Sequence, residues 1–168
     1  MEDTLNFQIL SNLPSEVIKM AKNNEFLTLL NEPLISKYYD ANLRKELKAL
    51  FTRFNDIKFF YKVNDSYSLK ANQIRIDKVN GSSLHPNQIL NMVGRKIDEE
   101  QFVEVMYYRI LNLSIKLTYQ EALYFIKYFF SDTTEEEISE ILAISRTNLQ
   151  KIKKSCLVKV YLEVSDLI

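Results

Sequence analysis

The chain has 168 residues with 22 basic and 22 acidic side chains, a formal net charge of +0, so nucleic-acid binding can arise only from an uneven distribution of charge. Two glycines and three prolines beside 46% hydrophobic residues exclude a many-turned β fold and predict an all-α protein with a sizeable core. The single cysteine, Cys156, excludes an intrachain disulfide, and no apolar run approaches the roughly 18 residues that span a bilayer, so a cytoplasmic protein without membrane contact is expected.

In chain order, Ser11-Asn12-Leu13-Pro14-Ser15-Glu16 supplies cap residues and an early proline before Val17, Ile18, Ala21, Phe26, Leu27 and Leu30. A first helix from about Pro14, ended by Asn31-Glu32-Pro33, is the expectation. A second helix is expected over about 34–62, where Leu43, Leu47, Leu50, Phe54, Ile57 and Tyr61 recur at steps of three and four. That stripe serves either packing inside a bundle or a homodimer contact, and the spacing leaves both open. The aromatics Phe51, Phe54, Phe59, Phe60 and Tyr61 read as a helix with Phe on its buried stripe and not as a base-stacking surface, since the consecutive rings of Phe59, Phe60 and Tyr61 cannot all face one partner.

Turn-forming clusters at Asn64-Asp65-Ser66, Asn80-Gly81-Ser82-Ser83 and His85-Pro86 predict a connector over 63–96, with one short strand around Ile74 and Ile76. Asp98 can cap a third long helix with an inward face of Phe102 or Val103, Met106, Ile110 and Leu113. Three units follow: an N-terminal helical module over 1–62, the connector over 63–96 and a helix-turn-helix domain over 97–168.

The last segment carries the functional signal. Leu117-Thr118 opens a helix through about Phe130 that is apolar nearly all round and has to be buried on most sides. Asp132, Thr133 or Thr134 then caps a short helix whose Glu135, Glu136 and Glu137 lie where the helix dipole favours negative charge, with Ile138 and Leu142 facing inward. Ala143-Ile144 makes a tight turn and Ser145 caps a final helix. At about 100° per residue Leu149, Ile152, Cys156 and Val160 share one side of that helix. Thr147, Gln150, Lys151 and Lys154 fall opposite, with Arg146 and Asn148 at the margins.

Arg, Asn and Gln can bond bidentately to purine edges, whereas Lys151, Lys153 and Lys154 suit phosphates. No acidic residue occurs between Ile141 and Leu162. The expected DNA-binding residues are therefore Ser145, Arg146, Thr147, Asn148, Gln150, Lys151, Lys153 and Lys154, and the expected partner is double-stranded DNA.

The string TTEEEISEILAISRTNLQKIKKSCLVKVYLEV resembles the end of sigma factor region 4 and its relatives. Their pattern of Glu-Ile-Ala, Leu-Gly-Ile-Ser, a β-branched residue and a later Ala is met by Glu137-Ile138-Ser139, Leu142-Ala143-Ile144-Ser145, Leu149 and Cys156. Ala143 stands where the turn often has Gly, and Ser139 and Cys156 stand in place of Ala. Over about 80–162 the order of Asn80-Gly81-Ser82-Ser83, Asp98-Glu99-Glu100, Tyr119 to Phe130 and the region 4-like end resembles phage late-transcription regulators of the ArpU and RinA type. The resemblance implies an activator that binds upstream of late or packaging genes of a phage or mobile element, with RNA polymerase as a further contact.

Other chemistry finds no residues to carry it. His85 beside Pro86 reads as a solvated loop residue, Cys156 as a small core filler, and three consecutive glutamates point about 100° apart and cannot converge on a metal ion. No phosphate loop, nucleophile elbow or metal-spaced ligand set occurs, so neither an enzyme nor a cofactor is expected. The competing reading is an interaction protein or sigma mimic that binds RNA polymerase or a repressor without touching DNA.

Overall fold

The structure is a computed structural model that describes residues 5–59 and 86–168, the backbone alone for 86–97. It is all-α among these residues: α1 (Phe7–Ala21), α2 (Glu32–Tyr38), α3 (43–59), α4 (Pro86–Ser114), α5 (Tyr119–Phe130), α6 (Glu135–Leu142), α7 (Arg146–Val164) and a closing 3-10 turn, Ser165–Leu167. The strand expected around Ile74 lies outside the described residues.

Helix α1 begins a full turn and more before the expected start. Asn6 caps it, accepting the N–H of Ile9 at 2.9 Å, and Pro14 lies inside it. Pro in a helix interior costs about 3 kcal/mol. Leu10 and Leu13, both fully buried, lie in the turns around Pro14, and burying each stabilises by roughly 1.5–3 kcal/mol, which offsets that cost. The helix stops at Ala21, short of the expected Leu30. Beyond it, both N–H groups of the Asn24 side-chain amide bond the carbonyls of Ser114 and Leu117, which holds the chain in an irregular path.

The expected second helix is two helices. Asn31 caps α2 instead of ending its predecessor, and Pro33 sits in the first turn, where a missing N–H costs nothing. The break after Tyr38 is made by Asp40, whose carboxylate accepts the N–H groups of Asn42 and Leu43 at 2.8 Å each and starts α3. Of the α3 stripe Leu43, Leu47, Leu50 and Phe54 are buried inside the chain, Ile57 is half-buried and Tyr61 lies outside the described residues; Phe51, also buried, lies 4.6 Å, ring to ring, from Phe129 and 5.3 Å from Phe125.

Helix α4 starts at Pro86, so the last part of the expected connector, 86–96, is helical and Asp98 lies mid-helix instead of capping. The inward face of α4 is as expected, with Val103, Met106, Ile110 and Leu113 buried. Residues from α1, α3, α4, α5, α6 and α7 form one hydrophobic core, and α5, buried on most sides, runs through it. No helix among the described residues is long and apolar enough to cross a membrane.

Candidate nucleic-acid interface

Short-range capping builds the helix-turn-helix pair. Thr134 Oγ1 accepts the N–H of Glu137 while Glu137 Oε2 accepts the N–H of Thr134, a reciprocal box that fixes the start of α6. At the other end the N–H of Ile144 bonds the carbonyl of Ser139 and the N–H of Ala143 that of Glu140, a Schellman closure with Ala143 in the left-handed region at φ 53°. Ser145 then caps α7 by accepting the N–H of Asn148 at 3.2 Å. Ile138 is fully buried and Leu142 half-buried, so the pair docks by its expected face.

Helix α7 divides along its length. Leu149, Ile152, Cys156 and Val160 are buried, as the helical spacing predicts. Over the first turns Ser145, Arg146, Thr147, Asn148, Lys151 and Lys154 are all exposed and Gln150 is half-buried. Arg146 lies 3.4 Å from Glu136, with both side chains at least 80% exposed, so this pair holds the guanidinium only loosely. From Ser155 to Val158 every residue is buried, because α2 and the segment before it close over the outer side. The N–H of Leu30 bonds Ser155 Oγ at 2.8 Å, and the Tyr38 ring meets that of Tyr161 at 6.2 Å.

Lys153 departs from expectation. It is only 6% exposed and its ammonium lies 2.6 Å from Glu135, which in turn meets Arg44 of α3 at 3.3 Å and Gln150 at 3.4 Å. Its charge is held in an inward ion cluster and is not available to phosphates. The first-turn glutamates accordingly do more than complement the dipole. Burial alone would raise the Glu135 carboxyl, but the Lys153 bond and charge, with Arg44 and Gln150, outweigh it and hold the group below its ordinary value.

Comparisons with protein-family models, with curated proteins and with solved structures find no match to this chain. The interface therefore rests on its own geometry.

Two features had no clear signal in the sequence. Glu121 is fully buried and joins three parts of the chain: it closes the capping box with Thr118, accepts Ser155 Oγ at 2.6 Å and meets the Lys159 ammonium at 2.7 Å. Lys159 also donates to the carbonyls of Thr28 and Lys116, so every polar end of the cluster is satisfied. The Thr118-to-Glu121 spacing announces the box, but nothing local announces Lys159. Secondly, the Lys154 ammonium lies 5.6 Å from the centre of the Tyr39 ring, which brings the corner between α2 and α3 beside the exposed part of α7. Burial pushes the Cys156 thiol well above its ordinary value, with the nearby Glu121 charge adding to it, as suits the core filler expected there.

Proposed function

We propose that this chain is a sequence-specific DNA-binding transcription regulator that enters the major groove with the first turns of α7. The observation that carries the reading is the two-sided character of residues 145–154. The inner side is buried on α5 and α6, and the outer side offers Arg146, Thr147, Asn148, Lys151 and Lys154 with no acid among them. Arg146 and Asn148, nearest the N-terminus, have the chemistry for purine edges, and Lys151 and Lys154 that for the flanking phosphates. The resemblance to sigma region 4 and to ArpU- and RinA-type regulators supports the finer reading: an activator of late genes of a phage or mobile element that also contacts RNA polymerase.

The test is fluorescence anisotropy against genomic-fragment DNA at two salt concentrations, with the Lys151→Glu, Lys154→Glu double variant beside the wild type. Tight, fragment-selective binding that weakens steeply with salt is the expected result, lost in a variant whose helical circular dichroism is unchanged. Equal binding by the variant removes the central claim.

A different observation favours the alternative of a protein-interaction module. Phe26 is 97% exposed on a segment pinned by Asn24 and Lys159, with Leu27 and Leu29 also at the surface. If neither protein binds DNA at low salt, while both capture RNA polymerase equally, this alternative replaces the first reading.

A further inference from the structure

We infer that the corner between α2 and α3, residues 37–45, is a second DNA contact that grips the phosphate backbone beside the groove entered by α7. The inference rests on the reading of α7 as the groove-entering helix.

Two independent contacts place the corner there. Tyr39, the first residue after α2, lies under the Lys154 ammonium. Arg44, in the first turn of α3, reaches Glu135, the same carboxylate that holds Lys153 and Gln150 of α7. The corner thus runs alongside the stretch of α7 from Gln150 to Lys154, where the helix passes from exposed to covered. A duplex seated on Arg146, Asn148 and Lys151 has its strands roughly 6 Å to either side of the helix axis, half of the ~12 Å width of the major groove.

The chemistry of the corner suits a phosphate strand. Lys37 and Lys45 are exposed, whereas Arg44 is committed to Glu135 and to the Tyr128 hydroxyl and anchors the corner. The one acid between them is Asp40, one of whose carboxylate oxygens accepts the first N–H groups of α3, and the exposed Glu46 follows Lys45. The Tyr39 ring, half-buried, fixes the direction of Lys154 and adds a hydroxyl that can donate to a phosphate oxygen. A neutral chain gathers a local excess of positive charge in this way, with Lys37, Lys45, Lys151 and Lys154 drawn from three helices.

The experiment measures affinity against salt for the full chain on a short duplex of random sequence, comparing wild type, Lys37→Gln/Lys45→Gln and Lys151→Glu/Lys154→Glu. Each phosphate contact contributes about 0.9 to the slope of log affinity against log salt. The corner variant is expected to lower the slope by about 1.8 and the affinity by at least tenfold near ~0.1 M salt, with helical content unchanged. An unchanged slope and affinity in the corner variant, with binding lost in the α7 variant, overturns the second contact alone. Tighter binding by the corner variant overturns it too, since the corner would then cover the face instead of extending it. Full binding by the α7 variant fails the underlying reading.

Discussion

Ala143 has φ 53° and ψ 44°, a conformation in which its Cβ crowds the following carbonyl at a cost of roughly 1–2 kcal/mol. The turn keeps that shape because two backbone bonds close α6 across it and Ser145 must start α7 two residues later. Glycine removes the clash but adds freedom to the unfolded chain, so the net gain is smaller than the strain. Ala143→Gly is expected to stabilise the protein by about 1 kcal/mol, read as a rise in thermal midpoint of roughly 2–4 °C. A fall would show that the alanine methyl makes a contact worth more than the strain. Lys153 is instructive at the same scale. It lies four residues after Leu149, the step that also aligns Ile152 with Cys156, so its helical position pointed inward while its charge suggested a phosphate ligand. Position was the better guide, because Glu135 supplies a partner inside.

Between α6 and α7 the ion cluster of Glu135, Lys153 and Arg44 takes the place of a purely apolar seam, and it makes the packing of the two helices pH-dependent. The Glu135 carboxyl is held below its ordinary value of 4.5 in the folded chain. Its contribution is therefore complete above the unfolded value and is lost as pH falls through the folded one. Urea midpoints are expected to drop on acidification from about pH 5 to about pH 3, and to drop less in Glu135→Gln, which starts lower at neutral pH because Lys153 stays buried without its partner. Parallel pH profiles for the two proteins would discount the cluster. The elements themselves were legible to different degrees for one reason, the range of the forces that define them. Helices α5, α6 and α7 are bounded by caps three residues long, Thr118 with Glu121, Thr134 with Glu137 and Ser145 with Asn148, which a local reading can see. The bounds of α1 and α4 were missed because Pro14 and Asp98 resemble start signals yet lie inside helices continued through them. For α1 the continuation is set by burial of Leu10 and Leu13 against a core assembled from distant segments. The fold class and six of the eight proposed contacts were readable as exposed positions; the corner beside Lys154 was not, since Tyr39 meets it across more than a hundred residues of chain.

At the scale of the whole molecule, the N-terminal helices and the helix-turn-helix pair share one core, with Phe51 of α3 set among Phe125, Phe129 and Phe130 of α5. Phe51→Ala is expected to cost about 3–5 kcal/mol. Because the core is common, unfolding should remain a single transition, and DNA affinity should fall in step with the loss of helicity although Phe51 lies far from the proposed contacts in sequence. A variant that unfolds in two steps, keeping its DNA affinity through the first, would show that the halves are independent. The division of α7 has a mechanical side as well. The helix is clamped all round over residues 155–158 and supported on one side before them, so its first nine residues act as a stiff arm of about 13 Å projecting from a vice. A tilt of ~10° at the clamp would swing Arg146 by about 2 Å, most of a hydrogen-bond length. On the proposed DNA-binding reading, substitutions at Val158 or Tyr38, in the jaws of that vice, change which sequence the tip selects without touching a base.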